Sequence, residues 1–399
     1  MEANVSKYTN AVDSGKQAIT QGQKRKGGRG MREGWEYKKL GDSCVIEYGT
    51  RVVQKKDGGT IYPVYGGGGE TFRMDKYNRE NCLVVARFAM SRTCVRYVTG
   101  KFFLNDSGLS INAGKELLQS YLNHHILHLN DDIYNLGKGA AQRNLDVNSF
   151  RNLIIAIPPL STQLSIVSEL DKINELIRLK KEQLKDYDNL AQSIFYEMFG
   201  DPVVNEKGWE VKKLGEVAMI KTGPFGSMLH KEDYITGGIP LINPMHIQNF
   251  KAVPDKDFSI SKEKAAELCN YQLKINDVIF ARRGDIGRCA VISDKEAGYL
   301  CGTGSLFVRF ERKLSSVYTM YVVRTTSFIK ELASKAKGAT MLNLNSSTME
   351  NLRFPIPPLP LQQLFAQRIE LIEQQKDEIK STIADLKTLL ASRMQYWFD

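Results

Sequence analysis

The string ARRGDIGR, from Ala281 to Arg288, sets Arg282, Arg283 and Arg288 around Gly284 and Gly287. Glycine has no side chain, so a phosphate or a base edge can approach the backbone closely at such points. Arginine forks pair bidentately with phosphate or with guanine. Earlier in the chain ARFAMSR, from Ala86 to Arg92, is a looser counterpart holding Arg87 and Arg92. Lys138 with Gln142, Arg143 and Asn144, and Lys335 and Lys337 with Asn343 and Asn345, add positive charge and amides. Amides can read adenine in a groove, whereas lysines mostly hold phosphate. These residues are the candidate DNA-binding groups, chosen on chemistry and on their doubling along the chain.

Other chemistry is thinly represented. A DNA methyltransferase needs an N-P-P-Y or D-P-P-Y string, and INPMH at Ile242 and two IPPL sites do not match it. GGGGE at Gly66 to Glu70 lacks the Lys and Ser/Thr of a phosphate-binding loop and reads as a hairpin tip. The paired strings Glu36-Tyr37-Lys38 and Glu210-Val211-Lys212 could serve metal-assisted hydrolysis. Their upstream acids, Glu33 and Asp201, sit beside polar linkers, so a metal-dependent nuclease stands only as the alternative. The six cysteines form no C-x-x-C pair, and the five histidines do not fall beside them at zinc-ligand spacing; reduced, mostly buried thiols and no metal site are expected.

What must position the basic residues is a unit written twice. GWEYKKLG at Gly34 to Gly41 recurs as GWEVKKLG at Gly208 to Gly215. A second block, KGAAQRNLDVNSFRNLIIAIPPLSTQ from Lys138 to Gln163, recurs as KGATMLNLNSSTMENLRFPIPPLPLQQ from Lys337 to Gln363. Repeats at fixed spacing mark duplicated structural units. Between the blocks lie glycine-punctuated, β-like stretches that diverge in length and sequence, which predicts two mixed, mostly β globules.

After each IPPL the pattern turns helical. Ile166, Ile173, Tyr187 and Ile194 alternate with Leu170, Ile177, Leu184, Ala191 and Met198 as a heptad seam, interrupted at Lys180. Phe365, Ile372, Ile379 and Leu386 alternate with Ile369, Ile383, Leu390 and Trp397, interrupted at Lys376. Nearly five heptads predict helices on the order of 55 Å long. A single apolar stripe must be buried. An antiparallel pair within the molecule is expected, seamed by Leu170, Ile173, Ile177 and Leu184 against Ile369, Ile372, Ile379 and Ile383. Packing of each stripe on its own globule, or pairing between chains in a protein-interaction scaffold, are the alternatives. The double prolines stop the preceding strands. Pro360 suits a first helical turn, and Ser161 is the expected cap of the earlier helix.

The segmentation that follows is a basic leader at 1–33, a globule at 34–157, a helix at 158–200, a linker at 201–207, a second globule at 208–356 and a second helix at 357–399. The formal net charge of +10 favours an anionic partner. Seven basic against three acidic residues in 1–33 supply part of it, and that polar stretch reads as a flexible arm or an added extension. No apolar run approaches the roughly 18 residues of a membrane helix, and a cytoplasmic protein is expected.

The whole pattern, G-W-E-x-K-K-L-G, then N-L ahead of I-P-P-L-x-x-Q, then a long helix ending in M-F-G-D-P before the second copy, resembles the specificity subunit of type I restriction-modification systems. The resemblance covers nearly everything from Gly34 onward and implies an α+β fold. Two target recognition domains would be separated by two long antiparallel coiled-coil helices with an internal pseudo-two-fold repeat. It implies a subunit without a catalytic site or cofactor of its own, on which each globule reads one half of an asymmetric split target in double-stranded DNA. The helices would act as a ruler and dock two modification subunits. Those would methylate adenine with S-adenosylmethionine, joined by ATP- and Mg-dependent restriction subunits. Half-sites about 34 to 36 Å apart, one helical turn, would suit such a reader.

Overall fold

The computed structural model describes residues 32–284, 287–310, 314–335 and 343–399. The expectations for the leader up to residue 31 lie outside them. Arg32, counted in that leader, is structured, its guanidinium lying 4.7 Å from the Trp35 ring and 4.9 Å from that of Tyr396. The chain forms two compact units, the first running to Lys181 and including Ser381–Asp399, the second comprising Glu182–Lys380. Each contains one globule and one stretch of each of two 40-residue helices, Leu160–Phe199 and Leu359–Phe398. At 1.5 Å per residue each helix is about 60 Å long.

The doubled blocks have a direct structural meaning: the opening of each globule is the strand partner of its close. Glu36–Lys39 runs antiparallel to Ile154–Ile157 with Glu36 opposite Ile157, and Glu210–Lys213 to Arg353–Ile356 with Glu210 opposite Ile356. The next residue is buried in both, and its N–H donates back across the junction at 2.8 Å, Leu40 to the Leu153 carbonyl and Leu214 to that of Leu352. Gly49 and Gly223 then pass so close to a neighbouring strand that an added Cβ would stand 1.9 and 2.0 Å from a carbonyl oxygen. No other residue fits there without moving backbone.

The diverged middles share a sheet. In the first globule Cys44–Tyr48, Gly108–Ala113, Arg79–Ala86 and Val95–Leu104 lie side by side in that order, extended by Tyr62–Tyr65 and Glu70–Met74. The second globule repeats the four-strand order with Ala218–Thr222, Ser305–Phe310, Val278–Ala281 and Cys289–Val291. Both inner strands read as continuous apolar runs, LVVA and VIFA, and all eight residues are buried. The second globule's extra length lies largely between Ile242 and Val278, where a small hairpin, a short strand and the helix Lys262–Glu267 are added. GGGGE joins Tyr62–Tyr65 to Glu70–Met74 as a hairpin turn, Gly66 N–H donating to the Gly69 carbonyl.

Both long helices begin at the leucine of IPPL. Ser161 is the second residue of the first helix rather than its cap, because helical bonds already start at the Pro159 carbonyl, and Pro360 takes the same place in the second. The helix starts are fastened instead by the glutamine three residues on. Gln163 is fully buried, accepting from Leu118 N–H and donating to the Glu116 and Pro158 carbonyls at 2.8 to 2.9 Å. Gln362 repeats this with Ser315 N–H and the Pro357 carbonyl. Tyr121 and Tyr318, both buried, add a matching pair of bonds to the Ala156 and Pro355 carbonyls. The first helix ends at Phe199, where Gly200 takes φ +75° and returns its N–H to the Tyr196 carbonyl, with Pro202 just beyond.

Within each unit the two helix stretches run antiparallel. In the first, Glu169 pairs with Arg393 and accepts from the Trp397 indole. In the second, Asp188 meets Lys376 and Phe195 meets Phe365. Leu170, Ile173, Ile177, Ile369, Ile372, Ile379 and Ile383 are buried as the heptads require, and Leu184 is half-buried. Pairing inside the chain therefore accounts for the stripes, and the between-chain scaffold is not needed. Each stripe also enters a globular core: Ile166 and Leu170 in the first unit, Phe365, Ile369 and Ile372 in the second, where Phe195 and Phe199 beside the seam join them.

Candidate nucleic-acid interface

In the first globule the buried strand ends at Ala86, so Arg87 is the first residue to emerge. Its N–H donates to the Ser107 carbonyl at 2.8 Å and its own carbonyl accepts from Leu145 N–H at 2.9 Å. Met90 N–H donates to the Arg143 carbonyl at 2.8 Å, and Ala89 N–H to Asn144 Oδ1 at 3.2 Å. The two basic segments identified in the sequence are thereby brought together. The Arg87 guanidinium lies 4.4 Å from the Phe88 ring and 4.9 Å from that of Tyr48, and donates to the Asp106 carbonyl. Arg92 and Arg143 share the Tyr134 ring, at 4.9 and 4.7 Å, with Arg143 Nε anchored on the Tyr134 carbonyl.

Two guanidiniums on one ring make a concentrated positive spot, and stacking holds arginine planes ready for phosphate or bases. Gln142 is exposed beside them, in a turn where Gly139 takes φ +108°. Lys138 is also exposed, but its ammonium sits 2.5 Å from Asp146. That carboxylate caps the helix Val147–Arg151, and Lys138 first, then the Ser149 N–H, holds its pKa down to about 2.

The second globule reproduces the arrangement around Arg282. Its N–H donates to the Gly304 carbonyl at 3.0 Å, its carbonyl accepts from Leu344 N–H at 2.9 Å, and its Nε donates to Asn343 Oδ1 at 3.2 Å. Arg283 is exposed and bridges to Asn343 through the backbone. The Arg288 carbonyl accepts from Ala281 N–H at 2.9 Å, bringing the two ends of ARRGDIGR together. Asn345 has a structural task, accepting from Thr348 N–H at 2.7 Å as cap of the helix Ser346–Glu350, where Asp146 stands in the first globule. Lys335 stands on the helix Thr326–Lys335 and pairs with Glu331 one turn back. Lys337 lies outside the described residues, as do 285 and 286.

The sequence reading missed the aromatic partners Tyr48, Phe88 and Tyr134. Only Phe88 adjoins an arginine in the chain; the other two arrive through the fold. The E-x-K strings hold exposed ion pairs, Glu36 with Lys38 at 2.7 Å and Glu210 with Lys212 at 3.0 Å, on the strands that close each globule. Glu116, then Glu36, raises the Lys38 pKa. Among the described residues no cluster of His, Cys, Asp and Glu could hold a metal ion, and no helix is long and apolar enough to cross a membrane. Cys269 is exposed and the other five cysteines are buried, all free.

The family model described as the type I restriction modification DNA specificity domain matches the chain twice, over residues 32–186 and 206–387. The type I restriction enzyme MjaIX specificity subunit of Methanocaldococcus jannaschii is 23% identical over 59% of this chain, and the match spans 58% of that relative's length. The MjaVIII specificity subunit of the same organism is 22% identical, matched over 64% of its length. A putative type I restriction enzyme specificity subunit of Haemophilus influenzae, S.HindORF215P, is 24% identical over 74% of this chain and 76% of its own. Among solved structures, the type I restriction-modification S subunit of M. genitalium superposes with a TM-score of 0.53 at 16% identity, covering 93% of this chain and 98% of that one. A chain from a study of complex assembly and conformational transition in the type I system gives 0.57 at 20%, covering 92% and 98%. The duplicated blocks, the repeated sheet and both family matches coincide, and this chain belongs to the type I restriction-modification DNA specificity family, with the family's domain present twice.

Proposed function

We propose that this protein is the DNA-reading and scaffolding subunit of a type I restriction-modification complex. Each globule addresses one half of an asymmetric, split target in double-stranded DNA, while the long helices set the gap and dock two methyltransferase subunits. The observation that carries the reading is a skeleton held constant in both globules beside surfaces that differ: Arg87 and Arg282 are clamped alike, yet the first globule carries Phe88, Arg92 and Arg143 next to that clamp where the second carries Arg283. Two similar bodies with unlike faces suit a target whose halves are unlike.

The chemistry belongs to the partners in this proposal. Methylation of adenine with S-adenosylmethionine, and ATP- and Mg-dependent restriction, would be carried by subunits in the cytoplasm that this chain orients, and no residue here is assigned to those cofactors. The chain mixed with the methyltransferase subunits of its system should bind duplex DNA with a sequence preference, at a stated salt concentration because phosphate contacts make affinity salt-dependent. Absence of any preference rejects the reading. Magnesium-dependent cleavage by this chain alone, lost in Glu210→Ala, would establish the nuclease instead.

A further inference from the structure

We propose that Arg87 and Arg282 are matched phosphate anchors, one in each globule, which hold the duplex without reading its sequence. This rests on the DNA-reading function above.

The two residues occupy one structural position. Each follows the last residue of the buried inner strand, Ala86 or Ala281. Each gives its N–H to a carbonyl of the loop before or at the start of the adjacent strand, Ser107 or Gly304, and receives the N–H of the leucine that follows the shared asparagine, Leu145 or Leu344. The preceding alanine is clamped alike, Ala86 N–H on the Cys94 carbonyl and Ala281 N–H on that of Arg288. This correspondence persists where most of the surrounding sequence has diverged.

A group identical in two readers cannot account for half-sites that differ. A fixed positive charge at the same place in both suits what every duplex offers, the phosphate backbone. Both arginines are half-buried, and neither pairs with a carboxylate among the described residues. Arg87 uses Nη1 on the Asp106 carbonyl and Arg282 uses Nε on Asn343, leaving further donors of each fork for an anion. The residue immediately after each is where the globules part, an aromatic ring at Phe88 and an exposed guanidinium at Arg283. Holding and reading would thus be adjacent in the chain but divided between residues.

The test uses the full chain with its methyltransferase subunits, a randomised duplex library and a short duplex of arbitrary sequence, across a salt series. Arg87→Gln and Arg282→Gln should each weaken binding to every duplex by a similar factor and reduce the slope of log affinity against log salt by about 1, with the selected bases unchanged. Arg87→Lys and Arg282→Lys should keep the slope, which separates lost charge from lost fold. A changed base at one half-site, an unchanged salt slope, or Lys variants that fail as the Gln variants do would overturn the proposal. If the unsubstituted complex selects no sequence at all, the DNA-reading function fails first, a different result from any of these.

Discussion

At the scale of single residues, the fold itself uses several side chains whose types could also bind DNA. Asn345 caps a helix and Lys138 pairs with a capping carboxylate, tasks set by turns that bring in Thr348 and Asp146 and that composition does not reveal. The Arg283 side chain has no such task among the described residues, so Arg283→Ala should relax base preference in one half-site by about 1–3 kcal/mol and leave the other untouched, measured by selection from a randomised library. Gln163→Ala should lower stability by about 1–3 kcal/mol in urea unfolding, since it strands a buried N–H and two carbonyls. His125 adds a pH dependence. Burial, then His128, lowers its pKa to about 3 while Asp399 opposes the shift, and its ring stacks on Phe398 at 4.6 Å. The neutral form belongs to the fold, so its contribution is complete above the unfolded value of about 6.5 and is lost as pH falls toward 3. A stability–pH profile should flatten in that window in His125→Phe; an unchanged profile would assign the dependence elsewhere.

At the scale of elements, the long helices and the paired end strands were legible because heptads and double prolines act locally. Phe195 and Phe199 are not placed by the heptads: they lie one position beyond the seam, where they touch both Phe365 of the partner helix and Tyr318 of the second globule, and a seam pattern records only the helix partner. Phe195→Ala should therefore cost about 3–5 kcal/mol despite lying outside the seam, seen as a lower urea midpoint. Lys376, which interrupts the stripe, is largely buried between Asp188 and Glu373. Burial works against its charge, yet the two carboxylates raise its pKa overall. Buried ion pairs often confer register more than stability. Lys376→Leu combined with Asp188→Asn and Glu373→Gln, which leaves no stranded charge, should leave stability equal or higher, and disulfide trapping between cysteines placed on the two helices should then report more than one register.

At the scale of the whole molecule, the repeat was legible in its two conserved blocks and invisible between them. Val278–Ala281 and Arg79–Ala86 occupy the same sheet position with little shared sequence, because a buried strand demands apolar character and size rather than particular residues. The insertion between Ile242 and Val278 further hides the match from any fixed offset. If the helices are the ruler, removing one heptad from each, between Glu169 and Asp188 on one and between Lys376 and Arg393 on the other, should narrow the gap in the target by about three base pairs and leave both half-sites alone. The central claim is that this chain chooses where its partners act. Its most direct test is genome-wide adenine methylation in the native host, compared with the same host lacking this gene alone. A split, asymmetric methylated motif that disappears with the gene is the result expected; a methylated motif that survives its loss would contradict the account.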